Sequence, residues 1–390
     1  MSSILSQAAR SIDLDPVRKF KEKGGTVIGY TCSFVPVEIF HAAGMLPIRL
    51  RGINTESLNI GDAYYGPFVC TFPKALLQQA GQGSFKFLDG AVISAGCDAM
   101  RRLDECWRKM SEDVPGALPP SWFYYLDVPH KPQGVALEWY QSRIRKLIQA
   151  LEEKFGVHIT DESLHLAISK QNKVRTALGE LAELRCLEPA VVSGTEAFEA
   201  LIARNVLPTD IYLEELDRLI EEVKSRAEPV SGYRKRLFIT GSICDDLELV
   251  EQIEAAGAVV VGETVCYGLR NTSPLVSDTG DPVAALSAFY LSGSVCPRMF
   301  GYYPTRLVAI SGRIKRTQAQ GVIMQNIRFC DLHGSENGLL ERDLEKLDVP
   351  TLRIEKEYGA LTEKGRLRMR IDAFLEQLEK SRPPVQEAEG

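Results

Sequence analysis

The sequence predicts an α/β protein with two parallel-sheet domains and a helical region between them. Three observations lead to this prediction. Short apolar runs alternate with helical patterns at the start of the chain, the alternation stops near residue 136, and it resumes near residue 231. The predicted parts are an N-terminal α/β domain at 1–135, a helical region at 136–230, a C-terminal α/β domain at 231–380 and a disordered tail at 381–390.

The apolar runs have the length and β-branched content of buried strands. Helical patterns such as VPVEIFHAAG and DDLELVEQIEAAG follow most of them, as in βαβ units that build parallel sheets covered by helices. The alternation is typical of Rossmann-like or flavodoxin-like domains. The predicted strands are TVIGYTC (26–32), GAVISAGC (90–97), RLFITGSIC (236–244), AVVVGETVC (258–266), GVIMQNIRFC (321–330) and TLRIEKEY (351–358).

The two α/β segments also resemble each other. TVIGYTC, a helix, AAG and MLPIRL follow one another in the first segment, as RLFITGSIC, a helix, AAG and AVVVGE do in the second. GAVISAGCD likewise matches GVIMQNIRFCD, so the repeat predicts an internal duplication. Between the segments, LEWYQSRIRKLIQALEEKFG has helical periodicity. The stretch 116–134, rich in Pro and aromatic residues, is expected to form the crossing into it.

Composition excludes several classes of protein. With 45% hydrophobic residues and a net charge of -6, the chain is globular and is not a general binder of polyanions, so we expect no nucleic-acid partner. The start, MSSILSQAARSIDLDPVRKF, has neither the apolar core of a signal peptide nor a membrane span. We therefore expect a cytoplasmic protein without a membrane partner.

The nine cysteines are too widely spaced for a disulfide scaffold, and the cytoplasm is reducing. Ligands of parallel sheets bind beyond the carboxyl ends of the strands, and five cysteines close a predicted strand there. These five are Cys32, Cys97, Cys244, Cys266 and Cys330. Cys97 and Cys330 each precede Asp and a predicted helix, whose amino end favours the thiolate, and Cys70 also opens a helical pattern.

The spacing contains no C-x-x-C, so zinc ribbons and thioredoxin-type sites are not indicated, and dispersed ligands imply a site between the domains. Three thiolates on a [4Fe–4S] cubane would leave one iron open to substrate. Cys106 and Cys186 lie in predicted helices and favour a structural interpretation, while Cys296 stays undecided. The absence of G-x-S-x-G, P-loop and G-x-G-x-x-G motifs disfavours hydrolase, ATPase and dinucleotide functions.

Four blocks of the sequence together resemble the 2-hydroxyacyl-CoA dehydratase and benzoyl-CoA reductase subunit family, of the 2-hydroxyglutaryl-CoA dehydratase D-component type. They are GYTCSFVPVEIFHAAGMLPIRL, FKFLDGAVISAGCDAMRRLDECW, ITGSICDDLELVEQIEAAGAVVVGETVCYG and GVIMQNIRFCDLHGSENGLLERDLEKLDVPTLRIEKEYG. The resemblance covers nearly the whole chain. It implies a [4Fe–4S] cluster on Cys70, Cys97 and Cys330. It leaves open a second ligand set that includes Cys32, Cys244 and Cys266, as in relatives with an [8Fe–9S] double cubane.

The resemblance also implies a radical dehydration. In that scheme an ATP-dependent iron–sulfur activator protein delivers one electron, a ketyl radical forms on an (R)-2-hydroxyacyl-CoA thioester, and loss of the 2-hydroxyl group gives an enoyl-CoA. The implied partner is a paralogous subunit in a heterodimer. Three alternatives stay open: a benzoyl-CoA reductase-type subunit, a homodimeric double-cubane reductase of small molecules, and a scaffold subunit without a cluster.

Charged residues near the predicted site are candidates for the remaining roles. Glu38, six residues after Cys32, is the candidate for proton handling, and a solvated glutamate that favours its helix dipole is the alternative. Phosphates of coenzyme A require cations at the mouth of the site. The candidates for this contact are Arg101, Arg102, Lys131 and Arg328.

Overall fold

A computed structural model describes residues 3–359, 361 and 363–380. Its eight described strands form two four-stranded parallel sheets, with the orders β2-β1-β3-β4 and β6-β5-β7-β8. The strands are β1 (Val27–Tyr30), β2 (Leu46–Arg49), β3 (Gly90–Ser94), β4 (Phe123–Leu126), β5 (Lys235–Gly241), β6 (Ala258–Thr264), β7 (Gly321–Ile327) and β8 (Thr351–Lys356). The identical orders confirm the predicted fold of two parallel-sheet domains related by a repeat.

One expectation about the strands was wrong. The stretch 116–134 is more than a crossing, because it contains β4, which pairs with β3 from Ala91↔Phe123 to Ser94↔Leu126. Three of the four β4 residues are only half-buried, as in an edge strand. Pro and aromatic residues around β4 hide it from a search for buried apolar runs.

Helices cover both sheets and fill the middle of the chain. The first set is α1 (Ile4–Arg10), α2 (Asp15–Glu22), α3 (Val37–Ala42), α4 (Asn59–Tyr64), α5 (Thr71–Gly81), α6 (Asp98–Arg101) and α7 (Leu103–Asp113). The middle set is α8 (Val135–Phe155), α9 (Asp161–Leu184), α10 (Gly194–Ala203) and α11 (Thr209–Ser225). The last set is α12 (Glu248–Ala255), α13 (Pro282–Ser287), α14 (Tyr303–Arg316), α15 (Asp331–Glu345) and α16 (Lys364–Lys380).

No strand lies between β4 and β5 in this fully described stretch, as the helical periodicity predicts. Local sequence fixes where two of its helices begin. Thr160 and Ser163 form a capping box at the start of α9, and Ser193 and Glu196 form another at α10. Each box satisfies backbone N–H groups that have no partner inside the helix.

The helical region shares its cores with both halves. Leu147 of α8 and Ile168 of α9 pack in one apolar cluster with Ile28 and Val92 of the first sheet. Phe198 of α10 packs with strands of the second sheet. Burial of apolar surface therefore fixes the two sheets relative to each other through these helices.

Two buried ion pairs reinforce this arrangement. Arg175 of α9 pairs with Glu38 of α3, and Arg185 at the carboxyl end of α9 pairs with Glu263 of β6. All four side chains are at most 2% exposed. One helix thus holds a charged contact to each half.

The predicted tail at 381–390 lies outside the described residues. Within residues 3–359, 361 and 363–380, no helix is long and apolar enough to cross a membrane.

Candidate functional site

The carboxyl edges of the two sheets meet at a seam between the halves. In each sheet the chain reverses its winding direction between the two central strands, and such switch points open a crevice for ligands. Cys32 follows β1 and Cys97 follows β3 at the first switch point, while Cys330 follows β7 at the second. At the mouth, the ring of Phe68 lies 5.7 Å from that of Phe329, which joins the halves directly.

Three cysteines occupy the same local position, the N-cap of a helix. Cys70 precedes α5, Cys97 precedes α6 and Cys330 precedes α15. The first backbone N–H groups of a helix have no partner within the helix and favour negative charge. Each of the three sulfurs therefore lies where N–H groups can stabilise a thiolate.

Burial opposes this stabilisation in the free thiols. It raises the pKa of Cys97 to about 12, although the N–H groups of Met100 and Ala99 act in the opposite direction. Burial likewise raises the pKa of Cys70 and of Cys330, against the N–H groups of Phe72 and of His333 respectively. A bound cation would reverse the balance, since metals bind thiolates.

The same thiols act on one another across the seam. Cys97 and Cys330 both raise the pKa of Cys70, and Cys330 and Cys32 raise that of Cys97. A Cβ placed on Gly96 would lie 3.3 Å from the sulfur of Cys32, so the loop before Cys97 packs against Cys32. Both halves therefore contribute sulfur to one region.

Two further cysteines extend this group. Cys266 raises the pKa of Cys330 by like-charge repulsion. Burial raises the pKa of Cys296 to about 11, Arg270 lowers it, and Cys266 and Cys32 raise it further. We call the complete set the seam thiols; its members are Cys32, Cys70, Cys97, Cys266, Cys296 and Cys330.

Buried arginines surround the seam thiols. Arg270 donates to the sulfur of Cys266 at 3.1 Å and to the carbonyl of Thr264 at 2.9 Å. Arg298 comes from the second half and donates to the carbonyl of Ala95 at 2.7 Å, just after β3. Since both guanidiniums are 3% exposed, the protein supplies fixed positive charge to this region.

Backbone strain also occurs beside the seam. Phe329, directly before Cys330, has φ of 62° although it carries a side chain. A bulky residue in the left-handed region costs about 1–3 kcal/mol, and such strain is characteristic of functional sites. The turn brings Cys330 to the N-cap of α15.

The remaining cysteines lie elsewhere. Cys244 follows β5 but is fully buried in an apolar cluster with Ile239 and Leu247, so the structure does not bring it to the seam thiols. The sulfur of Cys106 in α7 lies 3.7 Å from the carbonyl of Tyr64, and Cys186, in the turn just after α9 rather than in the predicted helix, donates to the carbonyl of Ala182 at 3.3 Å.

The soft sulfur donors of the seam fit the ligands that an iron–sulfur cluster takes. Among the residues that the structure describes, no three His, Cys, Asp or Glu side chains form a group that could hold one metal ion. In a cubane each thiolate binds its own iron, so its ligands are farther apart than those of one ion. Soft sulfur donors, helix N-terminal N–H groups and buried arginines suit an anionic cluster.

Glu38 is not solvated, because its side chain is fully buried. One carboxylate oxygen pairs with Arg175, and the other accepts from the hydroxyl of Tyr290 at 2.8 Å. Burial acts to raise the pKa of Glu38, but the Arg175 guanidinium holds it below its ordinary value. A proton-handling role would require this pair to open.

The four cations predicted to bind coenzyme A are all exposed. Arg101 and Arg102 form surface ion pairs with Asp98 and Glu105. Arg328 pairs with Glu355 at 3.2 Å. The ammonium of Lys131 lies 5.8 Å from the centre of the Phe300 ring. Exposed pairs of this kind exchange partners at little cost.

Sequence reasoning missed Arg270 and Arg298 and left Cys296 undecided. A signal was present, since Cys296 and Arg298 are two residues apart in a segment without helical or strand pattern. Arg270 likewise follows Cys266 by four residues. Nothing in the pattern, however, says that these arginines turn inward.

The chain is similar to known proteins over most of its length. The model of the family described as "2-hydroxyglutaryl-CoA dehydratase, D-component" matches residues 32–378. A benzoyl-CoA reductase subunit of Thauera aromatica is 28% identical over 345 residues, 85% of each chain. The (R)-phenyllactyl-CoA dehydratase beta subunit of Clostridium sporogenes is 24% identical over 363 residues, 93% of this chain and 94% of that protein. The beta subunit of (R)-2-hydroxyglutaryl-CoA dehydratase from Acidaminococcus fermentans is 24% identical over 370 residues, covering 92% and 94%.

Proposed function

The chain belongs to the 2-hydroxyglutaryl-CoA dehydratase D-component family, and we propose that it is the iron–sulfur subunit of an (R)-2-hydroxyacyl-CoA dehydratase. Relatives named as dehydratase subunits match it over more than nine-tenths of both chains, so it is a dehydratase-like enzyme subunit. The finer function is our proposal. It includes a cytoplasmic location, a ketyl radical of the substrate and an enoyl-CoA product.

The observation that carries the proposal is the meeting of three N-cap thiols from both halves. Cys70, Cys97 and Cys330 would hold a [4Fe–4S] cluster and leave one iron without a protein ligand. When bound, such a cluster supplies one low-potential electron and an open iron that acts as a Lewis acid on the thioester carbonyl.

The residues of this chain would support that chemistry in three ways. Helix N-terminal N–H groups stabilise the thiolates, and Arg270 and Arg298 offset the negative charge that accumulates at the seam. Burial of the thiols keeps water away from a reactive substrate radical. The exposed cations Arg101, Arg102, Lys131 and Arg328 would contact the phosphates of coenzyme A at the mouth.

Glu38 remains the proposed proton-handling residue. The support is its position in α3, the helix that follows Cys32, and its contact with the Tyr290 hydroxyl. Its closed pair with Arg175 makes it a weak base until substrate binding displaces one partner.

A second candidate function is reduction. Cys32, Cys266 and Cys296 lie beside the first three thiols and would serve as ligands of a second cubane, giving an [8Fe–9S] double cubane in a homodimer. The relative from Thauera aromatica is named a benzoyl-CoA reductase subunit, which favours a ring-reducing subunit as the other form of this alternative. Cys244 has no place in this second set because it lies in the core.

We propose two protein partners. Because the relatives are themselves named as subunits, the first partner is a paralogous subunit that completes a heterodimer. The second is an ATP-dependent iron–sulfur activator, since the chain has no nucleotide-binding motif of its own.

Products of an anaerobic assay test the proposal. The chain, isolated with any subunit that co-purifies, would be mixed with an activator, ATP, a reductant and either a panel of (R)-2-hydroxyacyl-CoA esters or benzoyl-CoA. Dehydration gives an enoyl-CoA lighter by one water and consumes no net reductant, whereas ring reduction adds two hydrogens and consumes it. Cys97→Ala should abolish turnover and Cys186→Ala should retain it. Reduction without dehydration would favour the second candidate, and equal turnover in Cys97→Ala would reject the cluster site.

A further inference from the structure

A small cavity lies where the first sheet, the helical region and the loop after β6 meet. Its volume is about 40 Å³, and its walls include Tyr30, Arg49, Arg204 and Cys266. None of the described residues that line it is Asp or Glu. The cavity therefore contains two arginines and no carboxylate.

Arg204, at the carboxyl end of α10, is the less satisfied of the two. Within residues 3–359, 361 and 363–380 its guanidinium forms neither a hydrogen bond nor an ion pair. Burial lowers its pKa, as does repulsion from Arg175, whereas the phenols of Tyr290 and Tyr212 act in the opposite direction. Arg204 is half-buried, and a partly desolvated cation without a protein partner favours an anion from outside the chain.

Arg49, the last residue of β2, is 4% exposed and rigidly held. Its guanidinium lies 3.9 Å from the centre of the Tyr267 ring, and one of its nitrogens donates to the carbonyl of Cys266 at 2.8 Å. Its Nε, however, is buried without a hydrogen-bond partner in the described part of the chain. Arg49, which lines the same cavity as Arg204, therefore has an N–H group without a partner, and this observation is independent of Arg204.

We propose that this cavity binds a small carboxylate anion of the size of formate or acetate. A guanidinium presents parallel N–H groups that match the two oxygens of a carboxylate. One water needs roughly 10–15 Å³ of such space, so about 40 Å³ admits a group of three or four heavy atoms and excludes nucleotides and aromatic acids. Binding of an anion in this cavity does not require the iron–sulfur cluster.

The cavity has a route to solvent. A surface pocket of about 390 Å³ shares two of its walls, His41 and Thr209, with the cavity. The Nε2 of His41 lies 3.3 Å from the hydroxyl oxygen of Thr209, so this contact is the partition between the two spaces. Lys170 lines the outer pocket, where it pairs with Asp210. Rotation of the His41 ring would admit an anion.

At its inner end the cavity touches the loop that carries a seam thiol. Arg49 donates a hydrogen bond to the carbonyl of Cys266. An anion that competes for this guanidinium would therefore weaken the hydrogen bond that positions the loop. Occupancy of the cavity is thereby linked to the geometry of the seam.

Titration with ¹³C-formate tests the proposal on the full-length chain at constant ionic strength. We expect saturable broadening of the formate signal with a dissociation constant on the order of 1–10 mM, as one charge-assisted pair provides. Acetate should displace formate, and benzoate, which carries the same carboxylate on a ring, should not. Arg204→Met should weaken binding about tenfold or more, and Arg218→Met, at an exposed arginine of α11, should leave it unchanged.

Stability measurements keep the test informative if a variant is perturbed. Formate should raise the melting temperature of the wild type relative to equal chloride, and circular dichroism should show that Arg204→Met is folded. If Arg204→Met does not fold, Arg204→Lys replaces it as the test. Lysine keeps the positive charge but lacks the parallel N–H groups of the guanidinium, so this variant should bind formate more weakly than the wild type. Absence of saturable binding in the wild type, equal binding in the folded Arg204 variant, or displacement by benzoate would each overturn the proposal.

Discussion

The two halves of the molecule have the same strand order but use one repeated motif differently. A glycine lies three residues before a cysteine at the end of β1 and again at the end of β5, as Gly29 with Cys32 and Gly241 with Cys244. Cys32 is half-buried at the seam beside Gly96, whereas Cys244 is fully buried in the second core. Equivalent positions in sequence therefore lead to different surroundings.

The backbone at the two glycines accounts for the difference. Gly241 has φ of 137°, and a Cβ there would lie 1.8 Å from the carbonyl oxygen of Gln325 on β7. Gly29 has an ordinary backbone, and its nearest neighbours are the ends of Leu50 and Leu88 side chains. A position at a strand end thus determines which edge of the sheet a residue reaches, while the turn that follows determines where its side chain points.

The largest expected effect concerns the ion pairs that fix α9 to each half. Glu38→Gln and Glu263→Gln each leave a buried arginine without its carboxylate, so each should lower the free energy of unfolding by about 3–5 kcal/mol. Urea unfolding would measure both. The double variant Glu38→Gln with Arg175→Met should recover part of the loss. A loss under about 1 kcal/mol in one variant only would show that α9 is fixed mainly to the other half.

The glycine comparison itself predicts the next effect. Gly241→Ala should lower the free energy of unfolding by about 3 kcal/mol, because backbone strain adds to a clash with a backbone oxygen. Gly29→Ala should lower the free energy of unfolding by only about 1–2 kcal/mol, because the leucine side chains that its Cβ would meet can shift. Melting temperatures and urea curves would measure the two variants together. Equal losses would contradict the account of why the two turns differ.

The fold was largely predictable because its signals are local. Buried parallel strands appear as apolar runs, as Gly321–Ile327 does, and the repeat placed Leu46–Arg49 as the equivalent of β6. Phe123–Leu126 escaped prediction because this short strand lies in a stretch rich in Pro and aromatic residues, a composition typical of a connection. The boundaries chosen for the helical region stay a prediction, since α8 to α11 share their cores with both sheets.

Acid should destabilise the first half through a neutral histidine. Burial lowers the pKa of His41 from its ordinary 6.5 to about 4. The unfolded chain therefore binds a proton between pH 6.5 and pH 4 that the folded chain does not, so stability is lost as the pH falls through this window. In His41→Gln, the free energy of unfolding should fall by about 1–3 kcal/mol less over this pH window than in the wild type.

Urea unfolding at pH 7 and pH 4.5 would measure the effect of His41. His158→Gln is the matched control, because His158 is 84% exposed. An unchanged pH dependence in His41→Gln would show that His41 is not held neutral by the fold.

The smallest expected effect separates the two repeated cysteines. Cys244→Ala removes a fully buried sulfur and should lower the free energy of unfolding by about 1 kcal/mol through the cavity that it leaves. Cys32→Ala, at a half-buried position, should change it by less than about 0.5 kcal/mol. Urea unfolding of cluster-free protein would compare them. A larger loss of unfolding free energy in Cys32→Ala than in Cys244→Ala would show that Cys32, not Cys244, is the cysteine that stabilises the fold.

The site was only partly predictable, for a physical reason. Strand ends and helix starts indicated Cys70, Cys97 and Cys330, because both signals are local. The direction of a side chain after a turn depends on contacts far away in sequence, as at Gly241 with Gln325. Arg270 was not predicted for the same reason. It is buried by elements whose packing against one another cannot be inferred from local sequence patterns.

Iron and acid-labile sulfide, measured in protein purified without oxygen, test the central claim that N-cap thiols of both halves hold one cluster. We predict roughly four irons per chain in the wild type and in Cys244→Ala, with nearly all of them lost in Cys97→Ala and in Cys330→Ala. About eight irons, partly lost in Cys296→Ala, would indicate the double cubane. Absence of iron after anaerobic reconstitution, or full iron content in Cys97→Ala and Cys330→Ala, would contradict the account.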